Sequence, residues 1–180
     1  MPVVSGAEFL KAARKGGYAV GGYNTNNLEW TQAILEAAEA KKAPVLIQTS
    51  MGAAKYMGGY KVAKDMITNL VDSMNITVPV AIHLDHGDYE AALECIEVGY
   101  TSIMFDGSHL PFEENLKLAK DVVEKAHAKG ISVEGEVGSI GGEEDGIIGT
   151  GELADIEECK QMVATGIDYL ACGIGNIHGQ

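Results

Sequence analysis

Short apolar runs and amphipathic segments alternate along the chain. The apolar runs have the length of buried strands, and the segments between them repeat apolar residues at helical spacing, as Ala33, Ile34 and Ala37 do. The pattern predicts strands over 18–23, 45–49, 80–83, 101–105, 131–136 and 168–172. It predicts helices over 28–40, 60–74, 88–97, 112–129 and 155–165. Strands that alternate with helices in this way indicate a parallel sheet.

Two parallel-sheet architectures compete, an open doubly wound sheet and a (β/α)₈ TIM barrel. An open sheet that binds a dinucleotide carries GxGxxG after its first strand, and residues 18–23 are not followed by one. In a barrel the functional residues stand at the carboxyl ends of the strands. The six predicted strand ends carry Asn24, Ser50, Asp85-His86, Asp106, Glu134-Glu136 and Asn176-His178. The sequence therefore favours a TIM barrel.

The chain covers about the first six strand–helix units of such a barrel. A complete barrel takes about 250 residues, and this sequence has 180. We therefore expect residues 1–180 to form a single, incomplete TIM-barrel domain, and we interpret the chain as a fragment.

Composition and charge exclude several classes of binding partner. The net charge of −13 argues against nucleic acid and against an anionic membrane, because both need clustered Lys and Arg. No signal peptide and no apolar run of membrane-spanning length is visible. The three cysteines are widely spaced and form no CxxC pair, which is typical of a reducing compartment. We expect a cytoplasmic protein that acts on a small molecule.

The predicted strand over 80–83 leads into Asp85-His86, the strongest chemical signal in the chain. An imidazole can ligate a divalent metal, and a neighbouring carboxylate can move a proton. The alternative is that this pair caps the next helix. Asp88 is better placed for that cap. His83 is expected to be a hydrogen-bonded core histidine that orients other groups rather than a direct ligand.

Glu134 and Glu136 lie on one face of their strand, because side chains in a strand alternate with a period of two. Inside a barrel such carboxylates need a metal or a hydrogen-bond partner. Asp106 follows a strand and is either a turn residue or a functional one. No role is assigned to His109 or His127.

Two glycine-rich segments follow. The stretch over 138–151 contains an acidic cluster, and it is either a disordered loop or a flap that closes over substrate. The stretch over 173–179 offers His178 as a second imidazole and glycine N–H groups that could hold a phosphate. Only His86 and His178 are credible histidine ligands, so a third zinc ligand would come from outside this chain or from a carboxylate such as Glu136.

Together these motifs resemble the class II (zinc-dependent) fructose-1,6-bisphosphate aldolases of the shorter, Gram-positive type. The closely related tagatose-1,6-bisphosphate aldolases share the pattern. The resemblance runs through the whole chain and rests on Tyr23-Asn24-Thr25, Gln48-Thr49-Ser50, His83-Leu84-Asp85-His86-Gly87, Met104-Phe105-Asp106-Gly107-Ser108, Gly141-Gly142-Glu143-Glu144-Asp145-Gly146 and Gly175-Asn176-Ile177-His178-Gly179.

The resemblance implies a role for each site residue. His86 and His178 would bind the catalytic zinc. Asp85 would be the general acid/base at the hydroxyl of the aldehyde half, and Glu144 would remove a proton from the ketone half. Asp106 and Glu136 would bind a second divalent ion, and His83 and Glu134 would orient other groups. Three residues would contact substrate, namely Asn24, Ser50 and Gly179. Gly179 would also contribute to a monovalent-cation site.

The resemblance implies reversible cleavage of fructose 1,6-bisphosphate in glycolysis and gluconeogenesis by a homo-oligomer, a dimer or a tetramer. Three alternatives stay open. The substrate could be tagatose 1,6-bisphosphate, the chain could be an inactive fragment of an aldolase, or the barrel could belong to another metal enzyme such as an epimerase. We expect little activity from the 180-residue chain unaided, because the family's third zinc histidine and its phosphate loops are absent from it.

Overall fold

Six parallel strands form the central sheet of the protein. The computed structural model describes residues 2–144 and 147–178, except for the side chains of residues 144 and 147. The strands of the chain are β1 (Gly21–Asn24), β2 (Val45–Ser50), β3 (Val80–Gly87), β4 (Ser102–Phe105), β5 (Ser132–Val137), β6 (Gly142–Glu144), β7 (Ile147–Gly149) and β8 (Tyr169–Cys172). The main sheet has the order β1-β2-β3-β4-β5-β8, and each neighbouring pair is parallel. The sheet curls into a partial barrel, which confirms the predicted architecture.

Helices precede and connect the strands, and those that connect them cover the outer face of the sheet. They are α1 (Gly6–Gly16), α2 (Leu28–Lys41), α3 (Met51–Met57), α4 (Tyr60–Ser73), α5 (Tyr89–Val98), α6 (Phe112–His127) and α7 (Ile156–Ala164). The main core lies between these helices and the sheet, with Leu35, Ile67, Ile82, Ile103 and Val122 fully buried in it. None of the helices in the described ranges is long and apolar enough to cross a membrane.

The predicted elements are present, and two helices were not predicted. One is α3, which is only seven residues long and begins at its Ser50 cap directly after β2. The other is α1, which buries Phe9 and Ala13. The strand predicted over 18–23 begins only at Gly21, because the N–H of Tyr18 donates to the carbonyl of Ala13 and ends α1.

Helix α1 packs at the amino end of the sheet, opposite the end where the candidate site lies. The N–H of Gly6 donates to Ser132 Oγ at 3.2 Å, and Phe9 packs with Leu46 and Ala81 in a second apolar cluster. The amino ends of the strands are therefore covered by the chain itself, and the carboxyl ends are available for a ligand.

Candidate active site

The carboxyl end of β3 leaves regular strand geometry at His86. This residue has a φ of 47°, in the left-handed region that non-glycine residues seldom adopt, and the pairing with β4 shifts register between Leu84 and Gly87. Neighbouring side chains in a regular strand point to opposite faces. Here the bulge lets Asp85 and His86 both reach polar partners on other strand ends. A left-handed residue costs about 1–2 kcal/mol, so the surrounding contacts hold this conformation in place.

Three side chains from three adjacent strand ends converge. His86 Nδ1 lies 2.8 Å from Asp106 Oδ2 and 3.8 Å from Glu136 Oε2. One candidate ligand atom from each residue lies within 4.8 Å of the others. The structure thus gathers His86, Asp106 and Glu136 in one cluster, although the resemblance assigned the two carboxylates to a second metal position.

The members of the cluster shift one another's pKa values, upward for His86 and Glu136 and downward for Asp106. Burial disfavours the imidazolium of His86, but the hydrogen bond with Asp106 and the charges of Asp85, Asp106 and Glu136 outweigh it and raise the pKa of His86 to about 9. Burial and the nearby Asp106 raise the pKa of Glu136 to about 7. Burial opposes ionisation of Asp106 as well, but its bonds to His86 and Ser108 lower its pKa below the usual range.

A divalent ion fits this donor set. Only Asn115 Oδ1 and Glu136 Oε2, among the buried side-chain nitrogen and oxygen atoms that the structure describes, have no hydrogen-bond partner. An orphaned buried carboxylate oxygen is costly unless a cation or donor meets it. One imidazole and two carboxylates are ligands that zinc accepts, and other divalent transition metals accept them too.

His178 lies next to this cluster. Its ring is 5.1 Å from that of His86 between centroids, at an interplanar angle of 79°. The backbone of Gly141 holds the segment, because its carbonyl accepts the N–H of His178 at 2.7 Å and its N–H donates to the carbonyl of Asn176 at 3.1 Å. The base of the acidic glycine-rich segment therefore positions the second predicted histidine ligand.

Asp85 is buried beside the cluster and is hydrogen-bonded to a residue of β1. Asn24 Nδ2 donates to Asp85 Oδ2 at 2.7 Å. Asn24 was predicted to contact substrate, and here it orients the predicted acid/base. Asp88 caps α5 by accepting the N–H of Ala91 at 2.8 Å, so the cap was correctly separated from Asp85.

Ser50 stands at the junction of two cavities. Its Oγ accepts the N–H of Ala53 at 3.2 Å and caps α3. A polar cavity on one side is lined by residues that include Asn24, Ser50 and Trp30. The cavity in front of His86 is lined by residues that include Ser50, Asp106, Ser108, His109, Glu136, Ile148 and His178. Ser50 therefore borders the cavity in front of His86, and Asn24 borders the adjoining cavity.

The acidic glycine-rich segment contains a β-hairpin. Strands β6 and β7 pair antiparallel, and the side chain of Ile148 in β7 lines the cavity. Of the two alternatives left open by the sequence, the disordered loop is therefore wrong for the described part of this segment. The side chain of Glu144 and the whole of Gly179 lie outside the described residues. Closure of the hairpin over substrate stays a prediction.

Comparison with known proteins assigns the family. Residues 4–180 match the family model for class-II fructose-bisphosphate aldolase. The chain belongs to this family. The class-II aldolase match covers every residue of the cluster described above, and it agrees with the resemblance found in the sequence.

Individual class-II aldolases are similar over almost the whole chain. The fructose-bisphosphate aldolase of Streptococcus pneumoniae is 83% identical over 179 residues, which is 99% of this chain and 61% of that protein. The Geobacillus stearothermophilus enzyme of the same name is 54% identical over 182 residues, with 99% and 63% covered. A crystal structure from Coccidioides immitis, named as a fructose-1,6-bisphosphate aldolase, matches with a TM-score of 0.88 at 34% identity, covering 100% of this chain and 64% of that one. The chain thus spans about three fifths of the length of these relatives.

One layer below the cluster, His83 occupies a satisfied polar site in the class-II aldolase fold. Its Nδ1 lies 2.7 Å from Ser102 Oγ, and its Nε2 lies 3.3 Å from Glu134 Oε2. Tyr169 Oη continues the network to Ser132 Oγ at 2.7 Å, and it also bonds to Ser102. Both ring nitrogens of His83 have protein partners, and the side chain is only 2% exposed.

Sequence reasoning missed two residues around the site. His109 lines the cavity, and the signal for it was its position three residues after Asp106 in the same loop. Asn115 lies on the buried stripe of α6, where Ala119, Val122 and Ala126 are all apolar. An amide at helical spacing among apolar residues indicates a specific polar contact, because burying it without a partner costs free energy.

Proposed function

We propose that this protein is a metal-dependent aldolase that cleaves fructose 1,6-bisphosphate reversibly to dihydroxyacetone phosphate and glyceraldehyde 3-phosphate. The observation that carries the proposal is the convergence of His86, Asp106 and Glu136 around an orphaned buried carboxylate oxygen, with Asp85 beside them. Membership of the class-II aldolase family supports it independently. The names of the relatives supply the substrate.

His86, Asp106 and Glu136 would hold the divalent ion, with His178 close enough to join them. We propose that the ion is zinc and that the two carboxylates give it an alternative or second position. When bound, the ion supplies a Lewis acid for the carbonyl of the ketone half. The predicted monovalent cation at Gly179 belongs to the same proposal.

Asp85 accepts and returns the hydroxyl proton of the aldehyde half. As the carbon–carbon bond breaks, the hydroxyl on the aldehyde side must lose its proton, and the Asp85 carboxylate accepts it. Asn24 donates to Oδ2, which leaves Oδ1 to face the substrate hydroxyl. In the direction of condensation, Asp85 returns the same proton. His83 and Glu134 orient the strand ends from below without touching substrate.

The ketone half needs a second proton carrier, which we propose is Glu144. The carbon released by cleavage takes up a proton, and in condensation the same carbon must lose one. Glu144 belongs to β6, in the hairpin whose partner strand lines the cavity. Asn24, Ser50 and Gly179 would contact the sugar bisphosphate itself. The cytoplasmic location, the single domain over 1–180 and the homo-oligomer stay predictions.

The test is a coupled cleavage assay on the gene product at its natural length. We expect turnover of fructose 1,6-bisphosphate that disappears with EDTA and returns with zinc. Tagatose 1,6-bisphosphate in parallel distinguishes the related sugar specificity, and the isolated 180-residue chain measures what these residues do alone. Metal-loaded protein of natural length that cleaves neither sugar would contradict the proposal and favour a scaffold without activity.

A further inference from the structure

Asn115 is a buried amide that lies between the ends of β4 and β5. Its side chain belongs to α6 and is only 2% exposed. Its Nδ2 donates to the carbonyl of Glu136 at 2.9 Å. Its Oδ1 has no hydrogen-bond partner within the described residues, so the amide is held in the core by one strong bond and by packing.

The packing partner of Oδ1 is Gly107, directly after Asp106. A Cβ placed on Gly107 would lie 2.5 Å from Asn115 Oδ1, 2.8 Å from Asn115 Cγ and 2.9 Å from Phe105 Cζ. Gly107 is not among the glycines with positive φ, so its conformation suits any residue. Glycine is therefore required here for space alone.

One amide thus touches the chain beside both candidate carboxylate ligands. On β5 it holds the main chain of Glu136, and after β4 it packs on the residue that follows Asp106. Both carboxylates face His86, at 2.8 Å for Asp106 and 3.8 Å for Glu136. The separation of the two strand ends sets the separation of these carboxylates.

We propose that Asn115 is a positioning residue that sets the spacing of Asp106 and Glu136 and thereby the metal affinity of the cluster. The inference rests on the proposed metal site and deepens it. Residues that orient ligands from outside the coordination sphere typically change metal affinity about 10–100-fold when they are replaced. Asn115 acts on the backbone of one ligand and on the turn that carries the other.

The experiment measures cobalt binding, because Co²⁺ replaces zinc in such sites and its d–d absorption reports the coordination geometry. The gene product at its natural length is titrated with Co²⁺ as the unsubstituted protein and as Asn115→Leu, which keeps the approximate volume and removes both polar atoms. We expect the Kd to rise about 10-fold or more and the absorption band to change shape. Circular dichroism and thermal unfolding report whether the variant folds.

Two further variants separate positioning from general destabilisation. Val122→Ala removes buried volume seven residues further along the same helix, and we expect it to lower the unfolding temperature with a Kd within about twofold of the unsubstituted value. Gly107→Ala pushes the amide away from the other side, and it is expected to weaken cobalt binding even if Asn115→Leu fails to fold. Asn115→Ala is also measured alone and together with Gly107→Ala, and the two effects should be less than additive, because the new methyl group fills vacated space.

The outcomes are distinct. Unsubstituted protein that binds no cobalt would overturn the proposed metal site and this inference with it. Cobalt binding that keeps its Kd and its spectrum in Asn115→Leu and in Gly107→Ala would overturn the inference alone and leave the proposed function standing. A Kd that rises equally in Val122→Ala would also overturn it, because the effect would then follow stability rather than position.

Discussion

His83 and His86 lie three residues apart on one strand, in two layers of the same partial barrel, and their surroundings differ. In the lower layer, His83 has a partner at each ring nitrogen and sits in a closed network with Ser102 and Glu134. In the upper layer, His86 has a left-handed backbone, lies at a cavity and faces carboxylates of which one oxygen is orphaned.

The difference shows what separates a structural histidine from a candidate metal ligand. In the lower layer, the polar groups satisfy one another, so the network needs no further atom. In the upper layer, the negative groups outnumber the donors, so the cluster lacks a positive charge that a proton or a metal supplies. We therefore expect the lower layer to contribute to stability and the upper layer to contribute to metal binding and proton transfer.

The largest expected effect on activity comes from replacing Asp85, the proposed proton carrier of the upper layer. Asp85→Asn keeps the shape of the side chain and removes its basicity, so we expect cleavage of fructose 1,6-bisphosphate by protein of natural length to fall about 10²–10⁴-fold. The matched control is Asp155→Asn, which alters the cap of α7, outside the site. Activity in Asp85→Asn equal to that of the control would remove Asp85 from the mechanism.

Alanine at each histidine tests the comparison directly. We expect His86→Ala to weaken zinc binding more than about 100-fold, above the range for residues outside the coordination sphere. We expect His83→Ala to cost about 2–4 kcal/mol of unfolding free energy, because it removes the buried bond to Ser102 and leaves a cavity behind. Denaturant titration and zinc-chelator competition measure the two quantities. The comparison fails if both variants lose metal affinity to the same extent.

A smaller effect on activity is expected from replacing Asn24, at the end of β1 next to the upper layer. Asn24→Ala removes the 2.7 Å hydrogen bond to Asp85. A hydrogen bond to a charged group contributes about 1.5–3 kcal/mol, so we expect kcat/KM to fall at least about tenfold. Asn24→Asp places a second carboxylate against Asp85 and should reduce it further. Equal kinetics in the two variants would mean that Asn24 acts on substrate alone.

The smallest expected effect is the change of the unfolding free energy with pH, which is best measured on the metal-free protein. The pKa of His86 is raised from 6.5 to about 9, so its stabilising contribution is complete below pH 6.5 and is lost as the pH rises through 9. The pKa of Glu136 is raised from 4.5 to about 7, so the folded state also binds its proton more tightly, and that contribution is lost as the pH rises through 7.

Urea unfolding in EDTA should therefore show stability that falls between pH 4.5 and 9. Glu136→Gln should flatten the lower half of this profile, and saturating zinc should reduce the slope, since the metal takes the place of the proton. Stability that rises with pH across this window in the metal-free protein would contradict the assignment.

Much of the fold could be predicted because local pattern and topology agree. Apolar runs of strand length separated by amphipathic segments predict parallel strands, and the polar residues at their carboxyl ends predict the location of the site. Helix α3 was missed because seven residues are too few to show a helical period. The hairpin of β6 and β7 was missed because its three-residue strands are too short to show an alternation.

The sequence by itself determined the order of the strands, the residues at their ends and, through its motifs, the class-II aldolase family. The tertiary structure decided which of these residues share one site. Asp106 and Glu136 join His86 because a bulge and a left-handed residue turn that imidazole toward them, and no local pattern encodes this. The role of Asn115 likewise depends on the packing of α6 against two strand ends, a contact between segments far apart in the chain.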